Sequence, residues 1–490
     1  MWINQIQIRY RKKQSMKREN DINKKISLTI FSISALIILI QFIDSYCTEI
    51  FGRIQSLSVK EFLMDARGMG ADEGVAYMSR MMLPFYLIGM LTPFVRSYAD
   101  IVGRKVMLAF NVALLAIGSV ICMLADSLML YLLGNGILIL GYSLDVHMIY
   151  IVDMLPADKR ATVRGICGGA AMAAAMCIPL FRSLVVGESG YGWQRLFLVG
   201  IIGGAICLAL VLIYRMPESE KDTKEVRIDT KYDSKLDSKH ASKDESKHAS
   251  KDESKHDSKD GSDDKFCQVQ SNAEQAGPDD GHIHFIRTMR NIWQQTETRR
   301  LLIGISVLGI ATAGITYYNE PMCAFSGMGE KSVNMVLFIQ PLTALVINVL
   351  IGILADRIHR MYVVRIGIVL SLVSGIAFTA GVGHTDSVLL IGILWGCMYG
   401  FYFSAEELIN MMVMESVDSS VRGRVSALST FAYGIGDQLG IFAISLVVGA
   451  LGMKWAKMIF LVPLVFAVIL FMKNRCKADD PDSSLTHDGI

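Results

Sequence analysis

Twelve blocks of mostly apolar residues decide what this chain can become. Each is close to the roughly 20 residues that a helix needs to cross the hydrocarbon core of a bilayer. The first six cover about 26–48, 75–97, 105–124, 127–152, 162–186 and 193–214. The second six cover about 299–322, 332–354, 362–382, 387–414, 425–449 and 455–473. With 52% hydrophobic and 19% charged residues, the chain is too apolar for a soluble domain, where about a quarter of residues are charged. The expected class is all-α membrane protein: twelve transmembrane helices in two six-helix halves.

The halves are copies of one design. Tyr98-Ala99-Asp100-Ile101-Val102-Gly103-Arg104-Lys105 is a charged knot between two apolar blocks, and a related knot returns as Leu354-Ala355-Asp356-Arg357-Ile358-His359-Arg360. Each has an Arg four positions after Ala-Asp. A second pair keeps its own beat, Asp153 with Arg160 and Glu415 with Arg422, an acid seven residues before an Arg. The copies are offset by 256 residues in the first pair and 262 in the second.

The net charge of +2 says little, but its distribution says more. Lys and Arg collect before block 1, between blocks 2 and 3, 4 and 5, 8 and 9, and 10 and 11, and after block 12. These loops alternate, so they lie on one side, and the positive-inside rule makes that side cytoplasmic. Both termini, 1–25 and 474–490, are then cytoplasmic tails of a multi-pass protein of the cell (inner) membrane. The loop at about 50–74 is the longest on the outer side. The basic start runs into a first block with no small-residue cleavage site, which reads as no cleavable signal.

Between the N-terminal bundle (26–217) and the C-terminal bundle (299–473), residues 218–298 form a cytoplasmic linker. Ser-Lys-His-Ala-Ser-Lys-Asp-Glu at 238–245 recurs at 246–253 and, altered, from Ser254. This octad cannot bury apolar surface and is expected to be disordered. Its His240, His248 and His256 are read as part of a solvated spacer, not as metal ligands. Near 283–296, Phe285, Met289, Ile292 and Trp293 share one arc, giving either an amphipathic interfacial helix or a core-packed stub.

Nine scattered Cys without a CxxC spacing suit buried packing better than disulfides or metal binding. No phosphate-binding loop, HExxH or defensible Ser/His/Asp spacing is present, so neither an ATP-driven pump nor an enzyme is expected. No cofactor, no metal and no nucleic-acid partner is implied.

The two halves, the long linker and the knots resemble the major facilitator superfamily over nearly the whole chain outside the linker. The family's loop 2–3 motif, roughly G-x-x-x-D-x-x-G-R-[KR], is matched by Asp100, Gly103, Arg104 and Lys105, with Arg96 in place of its first Gly. Gly352 and Asp356 match it in the second half, with His359 at the turn. The resemblance implies a cytoplasmic gate built from Asp100, Gly103, Arg104, Lys105, Asp153, Arg160, Asp356, Arg360, Glu415 and Arg422. A carboxylate beside a helix N-terminus of the opposite half, with an Arg nearby, suits such a latch. Asp153-x-x-Pro156-x-x-x-Arg160, Glu415 with Arg422-Gly423, Trp193-x-Arg195, Pro217-Glu218-Ser219 and Tyr317-Tyr318 before Pro321 are similar to the sugar-porter branch. That branch's Gln-Gln-x-Ser-Gly-Ile-Asn stretch is replaced here by Ala311-Thr312-Ala313-Gly314.

Ionisable groups at membrane depth are functional candidates, because inserting one costs about 2.5–3.5 kcal/mol or more. Asp145 and Glu407 each lie eight residues before a knot acid, so they are repeat-related. In block 10, Trp395, Tyr399, Tyr402 and Glu406 share a face. Gly392, Gly396 and Gly400, beside Glu407, allow another helix to approach closely. Helices 1, 4, 7 and 10 line the cavity in the resembled fold. The candidate substrate-binding or proton-coupling set is therefore Asp44, Asp145, Tyr317, Asn319, Trp395, Tyr399, Glu406, Glu407 and Asp437. Arg182, near the outer end of block 5, either pairs with one of these residues or snorkels to the interface, and snorkelling is the expected state.

The expected function is alternating-access transport of a small polar solute, of sugar or organic-acid type, coupled to protons and performed by a monomer in the bilayer. Export of drugs or metabolites through an adaptable Met-rich and aromatic pocket is the alternative. A non-transporting membrane sensor that signals through its linker comes third.

Overall fold

The computed structural model describes residues 31–92, 95, 102–144, 146–147, 157–186, 190–213, 296–355, 357–415 and 422–472. The side chains of 157–162, 164, 296–297, 415, 422–427 and 472 are excepted. The chain divides into two units. The larger joins Met1–Glu218 to Leu301–Ile490. Of the smaller, Ser219–Arg300, only 296–300 are described, so the linker octads and the 283–296 segment lie outside the described residues.

Among the described residues every regular element is helical. In the N-terminal half, α1 spans Phe31–Arg53 and α2 Gln55–Val59, which runs into a π-turn at Lys60–Asp65. Then come α3 Ala71–Gly89, α4 Arg104–Met123, α5 Leu128–Leu144, α6 Ala157–Val185 and α7 Leu198–Ile213. The C-terminal half holds α8 Thr296–Thr316, α9 Asn319–Phe325, α10 Glu330–Ala355, α11 Arg360–Gly381, α12 Val388–Glu415, α13 Arg422–Leu451 and α14 Met453–Met472.

Ten helices among the described residues are long and apolar enough to cross a membrane. With the shorter apolar α5 and α3, whose Asp72, Glu73 and Arg80 dilute its hydropathy, the twelve expected spans are accounted for. Hereafter the end of the bundle where α1 finishes and α3 begins is called the distal end.

The stretch expected as an outer loop at about 50–74 is largely folded. Helix α1 carries on to Arg53 because Ile50 and Ile54 still face the core and are fully buried. Leu57, Val59, Phe62 and Leu63 continue the buried face through α2 and the π-turn. Hydropathy alone ends the block near residue 48, where Asp44, Glu49 and Arg53 dilute the apolar run.

Close packing follows small residues. Gly392, Gly396 and Gly400 turn towards α10, where an added Cβ would lie within 3.0 Å or less of Ile339, Thr343 or Ala344 atoms, as expected from their spacing. A close backbone-to-backbone crossing lies between α8 and α13. A Cβ on Gly436 would lie 2.1 Å from the Ser306 carbonyl oxygen, and one on Gly309 2.3 Å from that of Tyr433. This backbone contact sets Asp437 directly against α8. The halves meet along α3 with α13 and α6 with α10.

Of the expected gate residues, Asp100, Asp153 and Asp356 lie outside the described residues, as do the side chains of Arg160, Glu415 and Arg422. Gly103 precedes α4 with φ 102°, a backbone that only Gly adopts freely, so it serves as the turn glycine of its knot. His359 instead caps α11, its Nδ1 accepting from the Met361 N–H at 3.3 Å. Lys105 donates to the Leu212 carbonyl at the end of α7, 3.1 Å away, a cation on a helix C-terminus of its own half. Arg104 and Arg360 open α4 and α11.

Gly436→Ala should lower stability by about 1–3 kcal/mol, because the neighbour it strikes is backbone. Gly165→Ala, which meets nothing within 4 Å, should be neutral or slightly stabilising. Thermal unfolding of the two purified variants in one detergent separates these outcomes.

Candidate functional site

A cavity of about 240 Å³ lies at the seam between the halves. From the N-terminal half it is lined by Glu49, Arg53 and Gln55 around the end of α1, Tyr86 of α3, and Asn135 and Tyr142 of α5. From the C-terminal half come Thr312, Thr316 and Tyr317 around the end of α8, Gln340 of α10, Trp395 and Tyr399 of α12, and Asp437 of α13. Tyr399 reaches back across the seam, its hydroxyl 3.4 Å from Glu49 Oε1.

Four of the expected residues, Tyr317, Trp395, Tyr399 and Asp437, are brought together here. The others are placed elsewhere. Asp44 is buried but outside the lining, because α1 runs past it and presents Glu49 instead. Asn319 is also buried and outside the lining: it accepts from Lys457 Nζ and donates to the Ile315 carbonyl at 2.6 Å. Glu406 lies nearly two turns beyond Tyr399, outside the lining, and takes a hydrogen bond from Asn410 Nδ2 at 2.5 Å. Glu407 is exposed and also outside the lining. Tyr402 turns to α8, where its hydroxyl meets Thr312 Oγ1 at 2.6 Å and donates to the Leu308 carbonyl at 2.5 Å. Asp145 lies outside the described residues.

Three buried polar atoms on lining side chains have no hydrogen-bond partner: Gln55 Nε2, Trp395 Nε1 and Asp437 Oδ1. Leaving such atoms unpaired costs about 1–3 kcal/mol each. Two are donors and one is an acceptor, and they belong to both halves.

At its distal side the cavity is closed by ions. Arg53 holds Glu49 with Nη2–Oε2 at 3.0 Å, and crosses to the other half at the Leu337 carbonyl and Gln340 Oε1, both 3.0 Å away. Beyond it Arg182, fully buried, spends four of its five N–H donors. Nε and Nη2 grip Glu330 at 2.7 and 3.1 Å. Nη1 reaches Glu320 Oε1 at 2.7 Å and also the Arg53 carbonyl. Glu320, equally buried, accepts from the Ser56 N–H at 2.8 Å and from the Ser56 hydroxyl.

The pair therefore straddles the break between α1 and α2. The cation sits on the last carbonyl of one helix and the carboxylate on the first N–H groups of the next, as the helix dipoles favour. Both carboxylates belong to the C-terminal half, and Arg182 and Ser56 to the N-terminal half. Near the same rim, Asp72 Oδ1 of α3 accepts from the Met453 N–H at the start of α14, 3.0 Å away.

The expectation that Arg182 snorkels is thus corrected: its guanidinium points into the seam because two acids wait there. Glu49, Arg53 and Gln340 were missed as lining residues. A signal existed in the i, i+4 spacing of Glu49 and Arg53, which a loop assignment hid.

A two-half helical bundle with a polar cavity at the seam is the architecture of secondary transporters. The chain belongs to the major facilitator superfamily: residues 26–440 match the family profile. Among solved structures it is similar to a D-xylose–proton symporter at a TM-score of 0.65, with 14% identity over 91% of this chain and 97% of that one. It is also similar to the inward-open xylose transporter XylE from E. coli, at 0.63 and 14% over 91% and 96%. A bacterial homologue of the human lysosomal transporter Spinster, inward-facing and occupied, scores 0.60 at 12% identity over 91% and 96%. At these identities the likeness is one of fold. A triacylglyceride transporter of Mycolicibacterium hassiacum is 30% identical over 148 residues, 29% of this chain and 27% of that protein, so the match spans about a quarter of the relative.

Arg182→Ala leaves Glu320 buried without its cation and should cost about 3–5 kcal/mol. Arg182→Met with Glu320→Leu should recover most of that, because neither charge remains. Unfolding midpoints of the three proteins test the order.

Proposed function

We propose that this chain is a secondary active transporter that moves a small polar solute across the cell membrane by alternating access, with both termini cytoplasmic and the distal end facing out. The observation that carries this reading is the seam cavity with its three unpaired polar atoms, closed on one side by ion pairs between the halves. These cross-seam ion pairs fit a conformation closed at the distal end.

Chemistry narrows the solute. Glu49 and Arg53 neutralise each other, which leaves Asp437 as the unbalanced charge of the lining. An organic anion would meet a net negative cavity, so the organic-acid option is the weaker one. A neutral polyhydroxyl ring satisfies the two free donors and the free acceptor, and can stack on Tyr317, Trp395 or Tyr399. The xylose symporter's name agrees with this reading. An organic cation is the second reading, favoured by the same aromatic rings beside Asp437. Drug-sized ligands commonly occupy about 300–1,000 Å³, more than this cavity offers. Asp437 is the proposed proton carrier: it lines the cavity, one of its oxygens has no hydrogen-bond partner, and it has no cationic partner among the described residues.

Neutral pentoses and hexoses should raise the unfolding temperature of the purified protein and dicarboxylates should not; a ligand at 100 times its Kd adds about 2.7 kcal/mol. In proteoliposomes, accumulation of the stabilising sugar should follow an imposed pH gradient. Asp437→Asn should abolish that response while solute exchange persists. Accumulation by Asp437→Asn at the original rate would remove Asp437 from the mechanism.

A further inference from the structure

Lys457 is a fully buried cation that the proposed transport scheme leaves unused. It lies on α14, one turn beyond Met453. Its Nζ donates to the Gly314 carbonyl and to Asn319 Oδ1 and lies 5.6 Å from the centre of the Phe378 ring. All three partners are neutral. An ammonium placed there without a carboxylate is costly, so what it holds is worth identifying.

It holds both sides of a broken helix. Helix α8 ends at Thr316 and α9 begins at Asn319, and between them Tyr318 takes φ 64°. Among the described residues this is the one non-glycine with positive φ, a conformation that costs about 1–3 kcal/mol unless its surroundings enforce it. Gly314 lets α14 come close enough: a Cβ there would lie 2.7 Å from the Phe460 carbonyl oxygen. Lys457 then bridges a carbonyl before the break to a side chain after it.

The break separates the cavity from the outer ion cluster by very little chain. Tyr317 lines the cavity, Asn319 is held by Lys457, and Glu320 meets Arg182 and Ser56. The break at α1–α2 has the same design, with Arg182 on the Arg53 carbonyl before the break and Glu320, its partner, on Ser56 after it.

We propose that Lys457 is the positioning residue of the α8–α9 break, a staple that holds Glu320 in register with Arg182 and so ties the cavity wall at Tyr317 to closure of the distal end. The staple's bearing on transport rests on the alternating-access reading; its geometry does not. Because its acceptor is a neutral amide, the staple is weaker than an ion pair would be. That leaves the break able to rearrange when the halves part.

The test is amide hydrogen exchange of the full chain in lipid nanodiscs, with Arg182→Ala as reference. Lys457→Met should speed exchange roughly tenfold in peptides covering 317–326 and 54–59, the loss expected for a charge-assisted hydrogen bond, and leave α4 and α5 unchanged. Asn319→Asp, which gives the cation a carboxylate, should slow exchange in the same peptides. Opposite signs are the signature of a staple; a residue that only fills space would not produce them. If Lys457→Met fails to fold, Asn319→Asp and Asn319→Ala, slower and faster respectively, carry the test. Unchanged exchange in these peptides for Lys457→Met, or for both Asn319 variants, overturns the proposal. Should Arg182→Ala speed exchange while Lys457→Met does not, the staple is wrong and the ion cluster stands. Should neither do so, both are wrong.

Discussion

A guanidinium buried to the last atom survives only if its partners are in place. Arg182 has its partners on the other half of the molecule, and the structure of the distal end follows from that. Its burial is conditional on the halves meeting, because Glu320 and Glu330 both come from the C-terminal side of the seam. Neither Arg182 nor Glu320 can be left behind dry when the halves part. A charge-assisted cluster of this kind has two good states, assembled and solvated, and a costly interval between them. Closure is therefore close to all-or-none, which suits a barrier that must either hold or yield.

The same cluster explains why two helices are broken where they are. A continuous α1 would leave no free carbonyl for Arg182 and no free N–H for Glu320; the break at Ile54 provides both within two residues. The α8–α9 break repeats the arrangement with a lysine and an amide. Each break also turns polar residues inward: Gln55 follows the first, and Tyr317 opens the second. Interrupting a membrane helix exposes backbone groups that lipid cannot satisfy. Here side chains from α6, α9 and α14 satisfy them, so the interruptions beside the cavity are tolerated.

Much of this was legible in the sequence, for physical reasons that differ by residue. Block length and the recurrence of the knots gave twelve helices in two halves, since hydrocarbon thickness fixes the one and duplication the other. The glycine ladder on α12 foretold the close approach of another helix, which is α10, because only absent side chains permit it. Periodicity brought Trp395 and Tyr399 to one wall, yet it ran too far along the helix: Glu406 shares their face but lies outside the cavity lining. Asp44 was chosen over Glu49 because the hydropathy of α1 fades before the helix does. Pairing was the less favoured reading of Arg182, and Lys457 gave no sign of it. A lone basic residue near the end of an apolar block looks the same whether it reaches for water or for a partner, and the partners are 138 residues away in each case.

Arg53 is where these parts become one device. Its side chain closes the cavity by holding Glu49 and crossing to Gln340, while its main-chain carbonyl is an anchor for Arg182. Glu49 in turn meets the hydroxyl of Tyr399 on the opposite half. A solute that hydrogen-bonds with Glu49 or Gln340 must compete with the Arg53 guanidinium, and the carbonyl of the same residue is where Arg182 rests. Loading the cavity and loosening the distal cluster thus draw on the same residue. Coupling between them needs no long-range pathway, only that one residue serves both with different atoms.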